Sequence, residues 1–161
     1  MSTRDDYTPV EWTLLAELPT RVVAAAVKVE PAGELGSVRE LVTGLTTLAN
    51  VAMENRHNPL IQSVFDHYKQ GGQGEEQALH LSNQWVDDLI PDTIERCRQV
   101  ADVLARRSDP QEAVEFKRWL FDTAASIVSA ASTGGFLGIG GQRVSEAEAT
   151  FLDKLANALG I

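Results

Sequence analysis

Apolar residues return every three to four positions along most of this chain, and that spacing predicts helices almost from end to end. No stretch alternates apolar and polar residues over more than a few positions, so strands are not expected. The first helical segment covers 9–30, with Pro19 inside it. Proline lacks a backbone donor and crowds the preceding turn, which predicts a break or kink at Leu18. Beyond it, Val22, Val23, Ala26 and Val27 form one apolar stripe. "PAGELG" interrupts, and a helix is expected from Ser37 with Leu41, Leu45, Leu48, Val51 and Ala52 on one side. "NRHNP" ends it, because the residue before a proline is biased away from helix. A shorter helix follows over 59–69, carrying Ile61, Val64, Phe65 and Tyr68.

"QGGQGEE" has three glycines in four positions and predicts a flexible loop at about 70–75. Helical spacing resumes near Glu75 and continues past Trp85; Pro91 is expected in the first turn of a further helix ending near Arg107. "SDPQEA" is a helix start, with Asp109 as cap and Pro110 at the first helical position. The helix it opens places Ala113, Phe116, Leu120, Ala124, Ile127, Val128 and Ala131 on one face. A glycine-rich turn, "GGFLGIGG", ends that helix, and the last one starts at Ser145 with Phe151, Leu152, Leu155 and Leu159 inward. The expected fold is all-α, a single-domain bundle of six or seven helices over residues 1–161.

Composition fits that picture. With 161 residues and 43% hydrophobic content, a chain can bury about 70% of its unfolded surface without metal or disulfide. Cys97 is the single cysteine, and its place in "IERCRQVADVL" predicts a buried, unreactive thiol. The net charge of −9 and pI near 4.7 argue against a nucleic-acid partner, which calls for a basic stripe. "ARR" at 105–107 and "FKRW" at 116–119 are short, lie beside acids, and read as solvated faces. No apolar run has membrane-spanning length. "MSTRDDYTPVEW" lacks the apolar core of a secretory signal, so a cytoplasmic location is expected.

Two regions share a pattern. "VVAAA" at 22–26 corresponds to "IVSAA" at 127–131. A glycine-containing turn follows each, three residues longer in the second copy, then a Ser-x-x-Glu capping box and an apolar helix with "LAN". The boxes are Ser37 to Glu40 and Ser145 to Glu148. Four features in the same order, about 107 residues apart, read as an internal duplication of a helical hairpin; chance similarity of alanine-rich helices is the alternative.

The second copy, "VSAASTGGFLGIGGQRVSEAEATFLDKLANALGI", resembles the closing hairpin of TerB-like tellurite-resistance proteins. About 30 residues match well, and "VVAAAVKVEPAGELGSVRELVTGL" supplies a second stretch, while 54–108 shows no match. The resemblance implies an all-helical fold with two related halves, a stress-response role, and turn aspartates that bind a divalent cation. This chain departs from it there. Ser132, Thr133 and Gly134 replace the acids in the second turn, and the first turn offers glutamates, Glu30 and Glu34, with Glu40 assigned to its cap. Glu30 and Glu34 are therefore the metal candidates, since calcium wants several oxygens on one loop.

The glycine-rich turn is not a phosphate loop: a helix precedes it, no lysine follows before Lys154, and Glu146 and Glu148 already complement the helix end. Its Phe136, Leu137 and Ile139 either fold onto the bundle, which is the commoner outcome, or face a partner. Glu54-x-x-His57 fits half of a di-iron motif, but the second half is missing, and His57 reads as a capping or surface residue. Asp66, His67 and His80 could meet as a zinc site across the loop. Ser126, Ser129 and Ser132 read as small residues for close helix packing, and Trp12, Trp85 and Trp119 as core anchors. The leading expectation is a non-enzymatic TerB-like module acting through a protein partner, with no cofactor; self-association is left open. The competing one is a small metal- or ligand-binding enzyme using His57, His67 or His80.

Overall fold

The computed structural model of the protein describes residues 2–29, 34–71, 86–133 and 144–161, with side chains described outside 34–38, 86–87 and 131–133. A short 3-10 turn, Arg4–Asp6, leads into six α-helices among these residues: α1 (Pro9–Lys28), α2 (Glu34–Glu54), α3 (Pro59–Gly71), α4 (Val86–Arg107), α5 (Pro110–Thr133) and α6 (Glu146–Leu159). The protein is an all-α bundle, and one apolar cluster runs through it from Tyr7 to Leu159. No helix of the described residues is long and apolar enough to cross a membrane.

Helix α1 is the centre. It packs against α2, α3, α4 and α5, and every residue from Val22 to Val27 is buried. A helix buried on all sides must be apolar all round, which explains the unbroken "VVAAAV". Its start is set by Thr8, whose hydroxyl accepts from the Glu11 amide at 3.3 Å while Glu11 returns to the Thr8 amide at 2.9 Å.

The expected break at Leu18 does not occur: α1 is one helix through Pro19. Proline removes the backbone bond to the Leu15 carbonyl and crowds the turn before it, yet burial of α1 among its neighbours carries the helix through. Tyr68 of α3 donates to the Ala16 carbonyl, and Thr20 donates to the Glu17 carbonyl at 3.0 Å. Burial pushes the Tyr68 hydroxyl well above its ordinary pKa, so it stays protonated as that donor. Pro91 is likewise interior, the sixth residue of α4 and not part of its first turn. Thr93 donates to Leu89 at 2.7 Å beside it.

The starts of α3, α5 and α6 are where the sequence puts them. Asn58 caps α3 by accepting from the Ile61 amide at 3.1 Å. Asp109 accepts from Gln111 and Glu112 at 2.9 and 3.3 Å. Ser145 and Glu148 form the expected reciprocal box, 3.1 and 2.8 Å, and Gly160 closes α6 in the left-handed region at φ 71°. Helix α2 differs. It already runs from Glu34, so Ser37 and Glu40 lie inside it and cannot form an N-terminal box.

The two expected hairpins are both packed helix pairs, α1 on α2 and α5 on α6, and α1 also packs on α5. Gly44 of α2 marks a close approach. A Cβ there would lie 2.7 Å from Val23 Cγ1 and 3.1 Å from Ile127 Cδ1. Side chains of the "VVAAA" and "IVSAA" segments thus both approach one glycine. The serines do not create this approach: Ser126 and Ser129 are exposed.

Candidate functional site

A groove of about 620 Å³ opens where the end of α1, the first turns of α4 and the start of α6 come together. Val29, Ile90 and Phe151 supply apolar surface, and Ser145, Glu146, Ala147, Thr150 and Lys154 complete the lining. Phe151 forms the floor of the groove, buried at 3% exposure. Ser145 and Glu148 are committed to capping, so the α6 amides that could draw an anion are partly satisfied. Glu146, exposed in the first turn, adds negative charge there, and Lys154, exposed two turns on, adds positive charge. Such a surface suits an amphipathic segment better than a phosphate.

The described residues next to both hairpin connections lie at this end of the bundle. Val29 immediately precedes the first, and Ser145 follows the second. Of the groove residues, the sequence pointed to Phe151 as core, to Ser145 as cap and to Glu146 as a charge that complements the helix end. Val29 and Ile90 are 61 positions apart in sequence, and no local pattern joins them.

The other candidates fall as follows. His57 is exposed in the turn after α2, with Nε2 3.3 Å from Glu115 Oε2. Glu115 also accepts from Gln111 at 3.0 Å and from Asn58 at 2.9 Å, and these hydrogen bonds hold its carboxyl below the ordinary value. His57 therefore braces the α3 start against α5, in keeping with its reading as a surface histidine. His67 is exposed and stands edge-on to Trp12, ring centroids 6.2 Å apart. His80, Trp85, Glu30, Phe136, Leu137 and Ile139 lie outside the described residues, as do the loop at 72–75 and the glycine turn; the Glu34 side chain is not described either. Among the described residues no group of three or more His, Cys, Asp or Glu is placed to hold a metal ion.

Cys97 is fully buried, and burial pushes its thiol up to about 12, which leaves no thiolate at neutral pH. Trp119 is an anchor as expected, its Nε1 donating to the Leu48 carbonyl at 3.1 Å. Trp12 is also buried, but its Nε1 has no hydrogen-bond partner among the described residues. The Arg106 and Arg107 side chains are solvated and lean toward Glu11, at 3.8 and 3.5 Å. One cross-bundle pair was not legible in the sequence. Arg21 of α1, only 12% exposed, donates to Asp92 of α4 at 2.6 Å, and Arg96 donates to the same oxygen at 3.1 Å.

No family model matches the chain, and neither a curated protein nor a solved structure matches it.

Proposed function

We propose that this protein is a non-enzymatic, TerB-like helical module that acts by binding a segment of another protein in the groove at the start of α6. The observation that carries the proposal is the groove itself, with apolar surface from Val29, Ile90 and Phe151 and opposite charges at Glu146 and Lys154. Apolar contact with a few oriented charges is the usual makeup of a protein-binding cleft. The resemblance of 125–161 to the TerB-like closing hairpin supports the module and extends it to a stress response.

A photo-crosslinking residue tests the contact directly. Placed at Thr150 in the groove, it should capture a defined partner in cells of the source organism. At Val10, which is 72% exposed and about 28 Å from Val29 along α1, it should capture none. Lys154→Glu should weaken the Thr150 product. Equal capture from both positions, or none from Thr150, overturns the groove as the contact. Stoichiometric zinc, iron or manganese in the purified protein would favour the metal-enzyme reading instead. Tellurite-resistance genes beside this one would support the stress link.

A further inference from the structure

The outer face of α2 is unusual in an acidic protein. Between Glu40 and Glu54 there is no charged residue. Val42 and Met53 are 55% and 53% exposed, among the most exposed large apolar side chains described. Between them Thr46 is exposed and Ala49 half-buried. The spacing Val42, Thr46, Ala49, Met53 is four, three, four, the seam spacing of paired helices. The hydroxyls of Thr43, Thr46 and Thr47 donate to the Arg39, Val42 and Thr43 carbonyls at 2.9, 2.9 and 3.0 Å. These donors are spent inside the helix, so covering the face strands none of them. Small side chains at its middle let another backbone come close.

The ends of the face carry opposite charges. Arg39 and Glu54 are both exposed, and neither forms an ion pair with a described residue. They are 15 residues apart, about 22 Å along the helix, and Arg56 lies beyond in the turn. In an antiparallel pair of α2 helices about a two-fold axis near Thr46 and Thr47, Arg39 of each copy comes level with Glu54 of the other. Val42 of each then lies within one turn of Met53 of the other. A surface that complements itself under a two-fold rotation is the requirement for a symmetric dimer. We infer that the outer face of α2 docks against the same face of a second copy of this chain, with Arg39 and Glu54 setting the antiparallel register. The groove at α6 is not part of this surface, so the inference stands apart from the protein-partner proposal.

Sedimentation velocity over a concentration series tests it, with a thermal melt on each variant as the check on folding. The wild-type protein should show a concentration-dependent monomer–dimer equilibrium. Met53→Glu should leave a folded monomer. Arg39→Glu and Glu54→Arg should each weaken the dimer by roughly tenfold, because each swap turns two symmetry-related attractions into repulsions. The double variant should regain most of the wild-type affinity. A protein that stays monomeric throughout, a dimer indifferent to the single swaps, or a double variant no tighter than the singles overturns the inference.

Discussion

The hairpins α1–α2 and α5–α6 start from similar sequence and end in different surroundings. In α1, Val22 to Val27 are buried without exception. In the matching part of α5, Ile127 and Val128 are buried while Ser129 and Ala130 are exposed. The reason is position: α1 has a helix on every side of that stretch, whereas α5 there leaves one side to solvent. The capped ends differ as well. Helix α6 begins at its Ser-x-x-Glu box, whereas α2 begins before its own and carries Ser37 and Glu40 inside the helix. Similar local sequence thus sets a helix in each case, but the neighbours decide which faces are covered and where the helix starts.

The largest expected effect sits where the hairpins lock together. Trp119→Ala removes the biggest fully buried side chain and its bond to the Leu48 carbonyl, and should cost about 4 kcal/mol in chemical denaturation. A loss under about 1 kcal/mol would mean that α5 does not anchor on α2. Gly44→Ala probes the same junction from the other side. The new Cβ would press on Val23 and Ile127, costing about 1–3 kcal/mol against roughly 1 kcal/mol gained in helix propensity. The expected net loss is about 1 kcal/mol, and Val23→Ala in the same chain should relieve it, a coupling that a double-mutant cycle measures. Strict additivity would show that the two helices do not meet at this glycine.

The two Ser-x-x-Glu motifs give the sharpest contrast. Ser145→Ala should cost about 1 kcal/mol, because a cap is lost. Ser37→Ala, inside α2, should be neutral or stabilising by a few tenths of a kcal/mol, because alanine is the better helix former. Equal losses in thermal melts would restore the second box and bring the hairpins closer to identity. The smallest effect is electrostatic. Glu115 has its carboxyl depressed below the ordinary 4.5 by hydrogen bonds from Gln111 and Asn58, and by His57. A group with a depressed folded pKa adds stability above its unfolded value and loses it as pH falls through the folded one. The melting temperature should therefore decline as pH drops below about 4.5, and Glu115→Gln should flatten part of that decline. No change in the acid limb would show that the brace between α3 and α5 contributes nothing to folding.

Helix identity was legible because apolar spacing and caps are local signals. Asp109-Pro110, Asn58-Pro59 and Ser145 to Glu148 each mark a start that the structure keeps. Thr8-x-x-Glu11 carries the same signal and could have been read in the same way. Proline misled at positions 19 and 91, because packing decides whether a helix continues: α1 is buried among other helices around position 19, and Tyr68 bonds the Ala16 carbonyl from 52 residues away along the chain. The serines of α5 misled because a small side chain permits close packing without requiring it. Of the groove, Val29, Ile90 and Lys154 carry no motif and are joined only by the crossing of three helices.

The sequence by itself determined that this chain is helical, where most helices begin and end, and which stripe of each is apolar, since these depend on neighbours within one or two turns. The tertiary structure decided that α1 lies at the centre and that α2 comes close to Val23 and Ile127 at Gly44. It also joined Arg21 to Asp92, left Val42 and Met53 of α2 exposed, and brought Val29, Ile90 and Lys154 to one groove. Those features depend on how stripes from distant segments fill a common volume, and no spacing within a single helix contains that information.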